Sequence, residues 1–149
     1  MFKNILLAVH GEEINIEQVM DQTLMLAQRN NCQLNLLHVR EDNLLFYGEV
    51  DSLLPAVARE QFIDYIHNMN DTQARKVLTD FEEKAADSGI KFNWKTRSGK
   101  PAEQIVEELR TGHYDLLVLG TKAPGPGNTS SRVKERVAKE HLCTVLMVK

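Results

Sequence analysis

The sequence predicts an α/β protein with a single open, doubly wound sheet of five parallel strands and helices on both faces. Short aliphatic runs of strand length lack polar alternation, as strands covered on both faces require. These runs alternate with segments of helical periodicity, which implies a parallel sheet with right-handed crossovers. The chain has 149 residues, a length that suits one domain over residues 1–149.

The predicted strands occupy residues 3–9, 32–39, 91–96, 116–119 and 144–148, and the predicted helices run from about 15 to 30, 54 to 86, 101 to 110 and 132 to 142. In the second strand, Leu34 and Leu36 face one side of the sheet, and Leu37 and Val39 face the other. The third strand is the least apolar and is expected at an edge. The periodicity of the last helix turns Val133, Val137 and Ala138 inward.

Two helix starts have recognisable signals in the sequence. Asn15 followed by Gln18 resembles a capping box and predicts the beginning of the first helix. Pro101 suits the first position of the third helix, because its missing N–H group would have no intrahelical partner there. Between these helices, the irregular segment from Arg40 to Pro55 is expected to be a loop. It is either an apolar flap on the domain or a lid over a ligand.

The loop from Gly120 to Ser131 follows the fourth strand and is the main candidate for a binding site. Its proline and glycine residues cannot continue a strand, and its last residues are of the types that cap helix N-termini. Free backbone N–H groups at a helix N-terminus attract anions, and ligands of open α/β sheets bind beyond the carboxyl ends of the strands. The loop therefore predicts a phosphate site.

Charge is unevenly distributed along the chain. The formal net charge is −3, which argues against nucleic-acid binding. Residues 121–139 nevertheless contain five cations and one acid, a local charge of +4. These cations either attract an anionic ligand or form a solvated helix face, with Arg132, Arg136 and Lys139 at helical spacing.

Other sequence features limit where the protein works. No apolar run approaches the roughly 20 residues that span a bilayer, and the N-terminal segment lacks a signal-peptide pattern, so a cytoplasmic protein without membrane association is expected. Cys32 and Cys143 lack metal-ligand spacing and are expected to be buried, reduced thiols. No spacing of histidine, cysteine or acidic residues indicates a metal site or a catalytic arrangement.

Several segments in a fixed order resemble the universal stress protein family over nearly the full length of the chain. They are FKNILLAV, LNLLHV, SGKPAEQIVEEL, YDLLVLGT and the terminal CTVLMVK. The resemblance implies a strand order of 3-2-1-4-5, with a crevice between the first and fourth strands. It also implies a homodimer formed through the last strand, Thr144 to Val148, which would cover an open apolar edge.

The resemblance implies an adenine-nucleotide site, such as one for ATP, and this sequence matches its motif only in part. Nucleotide-binding members share G-x-x-G-x9-G-[ST]; here Gly120 matches the first glycine, Ala123 and Ser131 stand at the second and third, and the loop is two residues shorter. His10 replaces the aspartate usual at the end of the first strand, which weakens a metal-assisted triphosphate site. The candidate nucleotide-binding residues are Ala8, Val9, His10, Val39, Gly120, Thr121, Gly127, Ser130 and Ser131.

Two functions fit this pattern. The first is a regulatory binding module that holds an adenine nucleotide at the Gly120 to Ser131 loop, with ATP hydrolysis weak at most. The second is a nucleotide-free dimeric adaptor that acts through an unidentified protein partner. The altered glycine motif and His10 favour the second function, whereas the loop chemistry favours the first.

Overall fold

The structure is a computed structural model that describes residues 2–10, 13–40, 72–121 and 130–149. The elements are β1 (Asn4–Val9), α1 (Ile16–Asn30), β2 (Gln33–Arg40), α2 (Thr72–Asp87), β3 (Phe92–Ser98), α3 (Pro101–Thr111), β4 (Leu116–Leu119), α4 (Ser130–Glu140) and β5 (Thr144–Met147). The predicted lid from Arg40 to Pro55 falls outside the described residues from position 41 onwards, as does the predicted helix before residue 72.

The sheet has the strand order β3-β2-β1-β4-β5, and every neighbouring pair is parallel. The predicted fold class is therefore confirmed. One apolar layer lies between the sheet and helices α1 and α2, and a second lies between the sheet and helices α3 and α4. The strands alternate their contacts between the two layers, so that Leu36 packs in the first and Leu37 in the second.

Most predicted strands and helices are confirmed within two residues at their ends, but two side-chain predictions are wrong. Asn15 occupies the N-cap position of α1 without making a side-chain cap hydrogen bond, so the capping box does not form. Its amide instead bonds to backbone groups beyond β4 and β5. In α4, Val133 and Val137 are buried as predicted, whereas Ala138 is exposed, because it lies outside the arc that these two valines cover.

A buried carboxylate fixes α3 against the edge strand β3. Glu108 accepts hydrogen bonds from Arg97 Nε at 2.9 Å and from the Tyr114 hydroxyl at 2.6 Å. The Lys95 ammonium lies 3.1 Å from the same carboxylate. Burial raises the pKa of Glu108, but the hydrogen bonds from Tyr114, Lys95 and Arg97 outweigh it and leave the pKa below its ordinary value. Burial and the bond to Glu108 raise the pKa of Tyr114.

Glu108→Gln should destabilise the fold by about 3 kcal/mol at neutral pH, because it removes the buried carboxylate that pairs with Lys95 and Arg97. Since the pKa of Glu108 is lowered from 4.5, its ionised form contributes stability above about that pH and loses it as pH falls further. The difference between wild type and variant in free energy of unfolding should therefore shrink on acidification. Urea titrations from neutral to acidic pH measure it, with the exposed Glu107→Gln as control. A constant difference would contradict this assignment.

Candidate functional site

A cleft opens at the carboxyl ends of β2, β1 and β4, where the chain leaves β1 toward one face of the sheet and β4 toward the other. Ligands of doubly wound sheets bind at this kind of position, because the connections diverge and leave a crevice between them. The cleft is lined by Ala8, Val9, His10, Glu13, Val39, Pro101, Ile105, Leu119, Gly120, Val133 and Lys134.

The floor and walls of the cleft are mainly apolar. The ends of the three strands supply buried aliphatic side chains, such as Val39 and Leu119, and Ile105 and Val133 come from the covering helices. Both side chains belong to the apolar layer between the sheet and helices α3 and α4. Such a surface suits a flat, weakly polar group better than a fully hydrated one.

One side of the cleft carries a histidine and a buried carboxylate. The Oε1 atom of Glu13 accepts the backbone N–H of His10 at 2.7 Å and lies 3.4 Å from His10 Nδ1. The Glu13 side chain is 3% exposed and that of His10 is 22% exposed. The carboxylate therefore fixes the end of β1 and adds a negative charge to this wall, while the imidazole remains accessible.

Lys134 brings a positive charge to the cleft. It lies in the first turns of α4, next to the buried Val133, and lines the cleft. Its Nζ atom is 3.5 Å from the Thr121 hydroxyl oxygen. Two further cations of α4 form ion pairs, Arg136 with Glu140 and Lys139 with Glu135. Of these three cations, Lys134 is therefore the one best placed to contact an anionic ligand.

The polar groups of Thr121 and Asn15 form a hydrogen-bonded cluster with Val148, which we call the strand-end cluster. Asn15 accepts the Thr121 N–H at 3.0 Å and donates to the Val148 carbonyl at 2.8 Å. The Thr121 hydroxyl donates to the same carbonyl at 3.0 Å. The cluster ties the connection after β1 to the residues that follow β4 and β5.

Gly120 lies against this cluster, and its missing side chain has a structural purpose. A Cβ atom there would lie 2.9 Å from Val19 Cγ2 and 3.0 Å from both Asn15 Oδ1 and Glu13 Cγ. Val19 is completely buried and Asn15 is held by its hydrogen bonds, so neither can move easily. Glycine at this position allows the connection after β1 to approach the end of β4, whether or not a phosphate binds.

The structure places five of the nine predicted site residues in the lining of the cleft. Ala8, Val9, His10, Val39 and Gly120 all line the cleft. Thr121 adjoins it with its polar groups bonded within the protein, as described above. Ser130 and Ser131 begin α4. Gly127 lies outside the described residues.

Sequence reasoning missed Glu13 and Asn15 as site components and did not single out Lys134 from its basic segment. Glu13 has no motif around it, and its contact with His10 depends on how the chain turns after β1. Lys134 is not part of a recognisable motif either. Its position next to the inward-facing Val133 could have indicated that its side chain lies at the margin of the buried helix face.

Other candidate chemistries find little support in the described residues. Within the ranges given above, no cluster of three or more His, Cys, Asp or Glu side chains could hold a metal ion. Cys32 and Cys143 are free and half-buried, and burial raises the pKa of each, which disfavours the nucleophilic thiolate. None of the helices in the described ranges combines the length and apolar content that a membrane crossing requires.

The fold and the cleft define a doubly wound α/β protein with a cleft at its switch point. The chain belongs to the universal stress protein family, which it matches over residues 1–149. It is 25% identical over 151 residues to the universal stress protein YxiE of Bacillus subtilis, and the match covers 100% of both chains.

Solved structures share the fold at lower sequence identity. A universal stress protein family protein from Arabidopsis thaliana with AMP bound has a TM-score of 0.64 and 21% identity, over 99% of this chain and 91% of that one. A universal stress protein in complex with cAMP has a TM-score of 0.59 and 16% identity, over 99% and 96%.

Gly120→Ala should destabilise the protein by about 1 to 3 kcal/mol, because the added methyl group overlaps Val19 and Asn15. Thermal and urea unfolding measure this change without any ligand. In the background of Val19→Ala, which removes the atom nearest to the new methyl, Gly120→Ala should cost less than it does in wild type. An equal cost in both backgrounds would contradict the packing explanation.

Proposed function

We propose that this protein is a regulatory binding module that holds an adenine nucleotide in the cleft. The observation that carries the proposal is the combination of an apolar floor with a cation at one end, both at the switch point of the sheet. A flat base suits the floor and a phosphate suits the cation. The AMP and cAMP complexes of related folds are consistent with such a ligand.

The order of the strands suggests how the ligand lies. Val39 lies near the end of β2, whereas His10 and Gly120 directly follow β1 and β4. Two strand spacings cover about 10 Å. We expect the base near Val39 and Ile105, the ribose near His10, and the phosphate between Lys134 and the N-terminus of α4. Ala8 and Val9 would line the floor, and Ser130 and Ser131 would supply donors at the helix start.

Lys134→Ala should weaken AMP binding by about tenfold, because it removes a charge-assisted contact to the phosphate. It should leave adenosine binding nearly unchanged, since adenosine carries no phosphate. Lys139→Ala is the matched control, because Lys139 lies on the same helix and its side chain is 74% exposed.

Titration calorimetry with both ligands and all three proteins tests the proposal. Retention of wild-type AMP affinity by Lys134→Ala would reject the proposed phosphate position. Failure of wild type to bind AMP or adenosine at millimolar concentration would reject the nucleotide site itself.

A nucleotide-free adaptor that acts through a protein partner is the second candidate. The commitment of Gly120 and Thr121 to internal packing favours it, because these two residues then have a purpose without a ligand. Mass spectrometry of the freshly purified protein separates the candidates, since a copurified adenine nucleotide would count against an adaptor that binds none.

Both candidates include a homodimer formed through Thr144 to Val148. β5 pairs with β4 on one side and forms an edge of the sheet on the other. Its side chains are exposed or half-buried, in contrast to the fully buried β4. An apolar edge strand in this state favours pairing with a second copy, which would cover its unpaired backbone groups.

Met147→Lys should shift the dimer toward monomer, because it places a charge on the proposed interface. Met25→Lys should not, although Met25 is 44% exposed against 41% for Met147, because Met25 lies on α1. Light scattering after size-exclusion chromatography gives the mass of each protein over a dilution series. A monomeric wild type, or equal effects of both variants, would reject this interface.

A further inference from the structure

Exposed apolar side chains gather around the last strand. In the described part of the chain, four large apolar side chains are exposed, and three of them, Ile14, Leu142 and Met147, lie in or beside β5. Met147 belongs to the strand, and Leu142 stands two positions before its first residue. The fourth, Met25, lies on α1. Single exposed apolar residues are ordinary, whereas a group of them at one place indicates a contact surface.

Hydrogen bonds place Ile14 at the carboxyl end of β5, although it follows β1 in the sequence. The Leu119 carbonyl accepts the Val148 N–H at 2.8 Å, and the Thr121 carbonyl, two residues further along, accepts the Ile14 N–H at 2.9 Å. The amide of Asn15, the next residue, donates to the Val148 carbonyl at 2.8 Å. Ile14 is therefore held beside the end of the strand, and it is 66% exposed.

The strand by itself is too short to hold two copies of the chain together. Stable protein–protein interfaces bury about 800 Å² on each partner and include about 20 to 30 residues a side. β5 has four residues and is the terminal strand of the sheet, next to β4. A dimer formed through its edge therefore needs further surface, and large apolar side chains next to the strand stabilise such a contact most effectively.

Two-fold symmetry determines which parts of the two copies meet. When a two-fold axis relates identical edge strands of one continuous sheet, the strands run antiparallel, and the carboxyl end of one lies against the amino end of the other. Ile14 lies at the carboxyl end of β5, and Leu142 lies at the amino end. The two ends are about 20 Å apart along the strand. An antiparallel pair centred on β5 therefore brings Ile14 of each copy toward Leu142 of the other.

We infer that the self-association surface extends beyond β5 and contains two contacts between Ile14 and Leu142, one at each end of the antiparallel strand pair. These contacts bury side chains that the single chain leaves exposed. They also fix the register, because a slip of the strand pair by two residues, about 7 Å, separates them. The inference rests on the proposed homodimer and names the residues outside the strand that specify it.

Charged variants test these contacts by light scattering over a dilution series. Ile14→Lys and Leu142→Glu should each weaken dimerisation by at least about tenfold, because each places a charge against an apolar side chain of the second copy. In the double variant the opposite charges meet across the copies, so dimerisation should recover several-fold over either single variant. Met25→Lys is the matched control, since Met25 is 44% exposed on α1, and it should dimerise as wild type does.

The same measurements separate the inference from the dimer on which it rests. Wild-type dimerisation by Ile14→Lys, or additive losses in the double variant, would overturn the contact between Ile14 and Leu142 while leaving the edge of β5 as the interface. A monomeric wild type would instead reject the proposed dimer itself.

Chemical cross-linking tests the geometry without a change in charge. Ile14→Cys and Leu142→Cys are placed on separate chains that carry Cys32→Ser and Cys143→Ser, which remove the native thiols. A mixture of the two chains, treated with a short thiol-to-thiol cross-linker, should give a covalent dimer. Each chain alone should not, because its two introduced thiols lie at opposite ends of the strand pair, about 20 Å apart. Equal cross-linking of either chain alone, or no cross-linking of the mixture, would overturn the antiparallel contact.

Discussion

The side-chain amide of Asn15 is the interaction on which the candidate site depends. It connects the turn after β1 with the residues after β4 and β5, through hydrogen bonds to Thr121 and Val148. These segments are far apart in sequence, and the amide brings them together at the carboxyl edge of the sheet. The close approach requires glycine at position 120, because any side chain would meet Asn15 and Val19. A glycine expected to admit a phosphate therefore has an independent structural reason to be there.

Much of the fold could be predicted because its signals are local. The aliphatic run at 116–119 is buried on both faces and coincides with β4, and Pro101 begins α3 as its missing N–H suggests. Prediction of the strand order depended on the family resemblance, since periodicity alone does not show which strands are neighbours. The predicted capping box at Asn15 was wrong because an asparagine before a helix is equally suited to capping and to a tertiary contact.

The cleft was harder to predict because its chemistry comes from distant contacts. The basic segment before residue 140 was recognised, but its cations have different partners. Arg136 shares Glu140 with Arg110 of α3, whereas Lys134 lines the cleft. Glu13 could not be recognised either, since its proximity to Gly120 follows from the fold. The family resemblance led us to expect an aspartate where His10 stands, and the structure places the carboxylate of Glu13 beside that histidine, 3.4 Å from its Nδ1 atom.

The central claim is that an adenine nucleotide occupies the switch-point cleft. Backbone amide NMR spectra of the labelled protein, recorded during a titration with AMP, test it most directly. The account predicts concentration-dependent shifts that cluster at the carboxyl edge, at Val39, His10, Gly120 and Lys134, while amides at the opposite edge of the sheet, such as Asp115, remain unchanged. Shifts centred on the opposite edge, or no shifts at millimolar AMP, would contradict it.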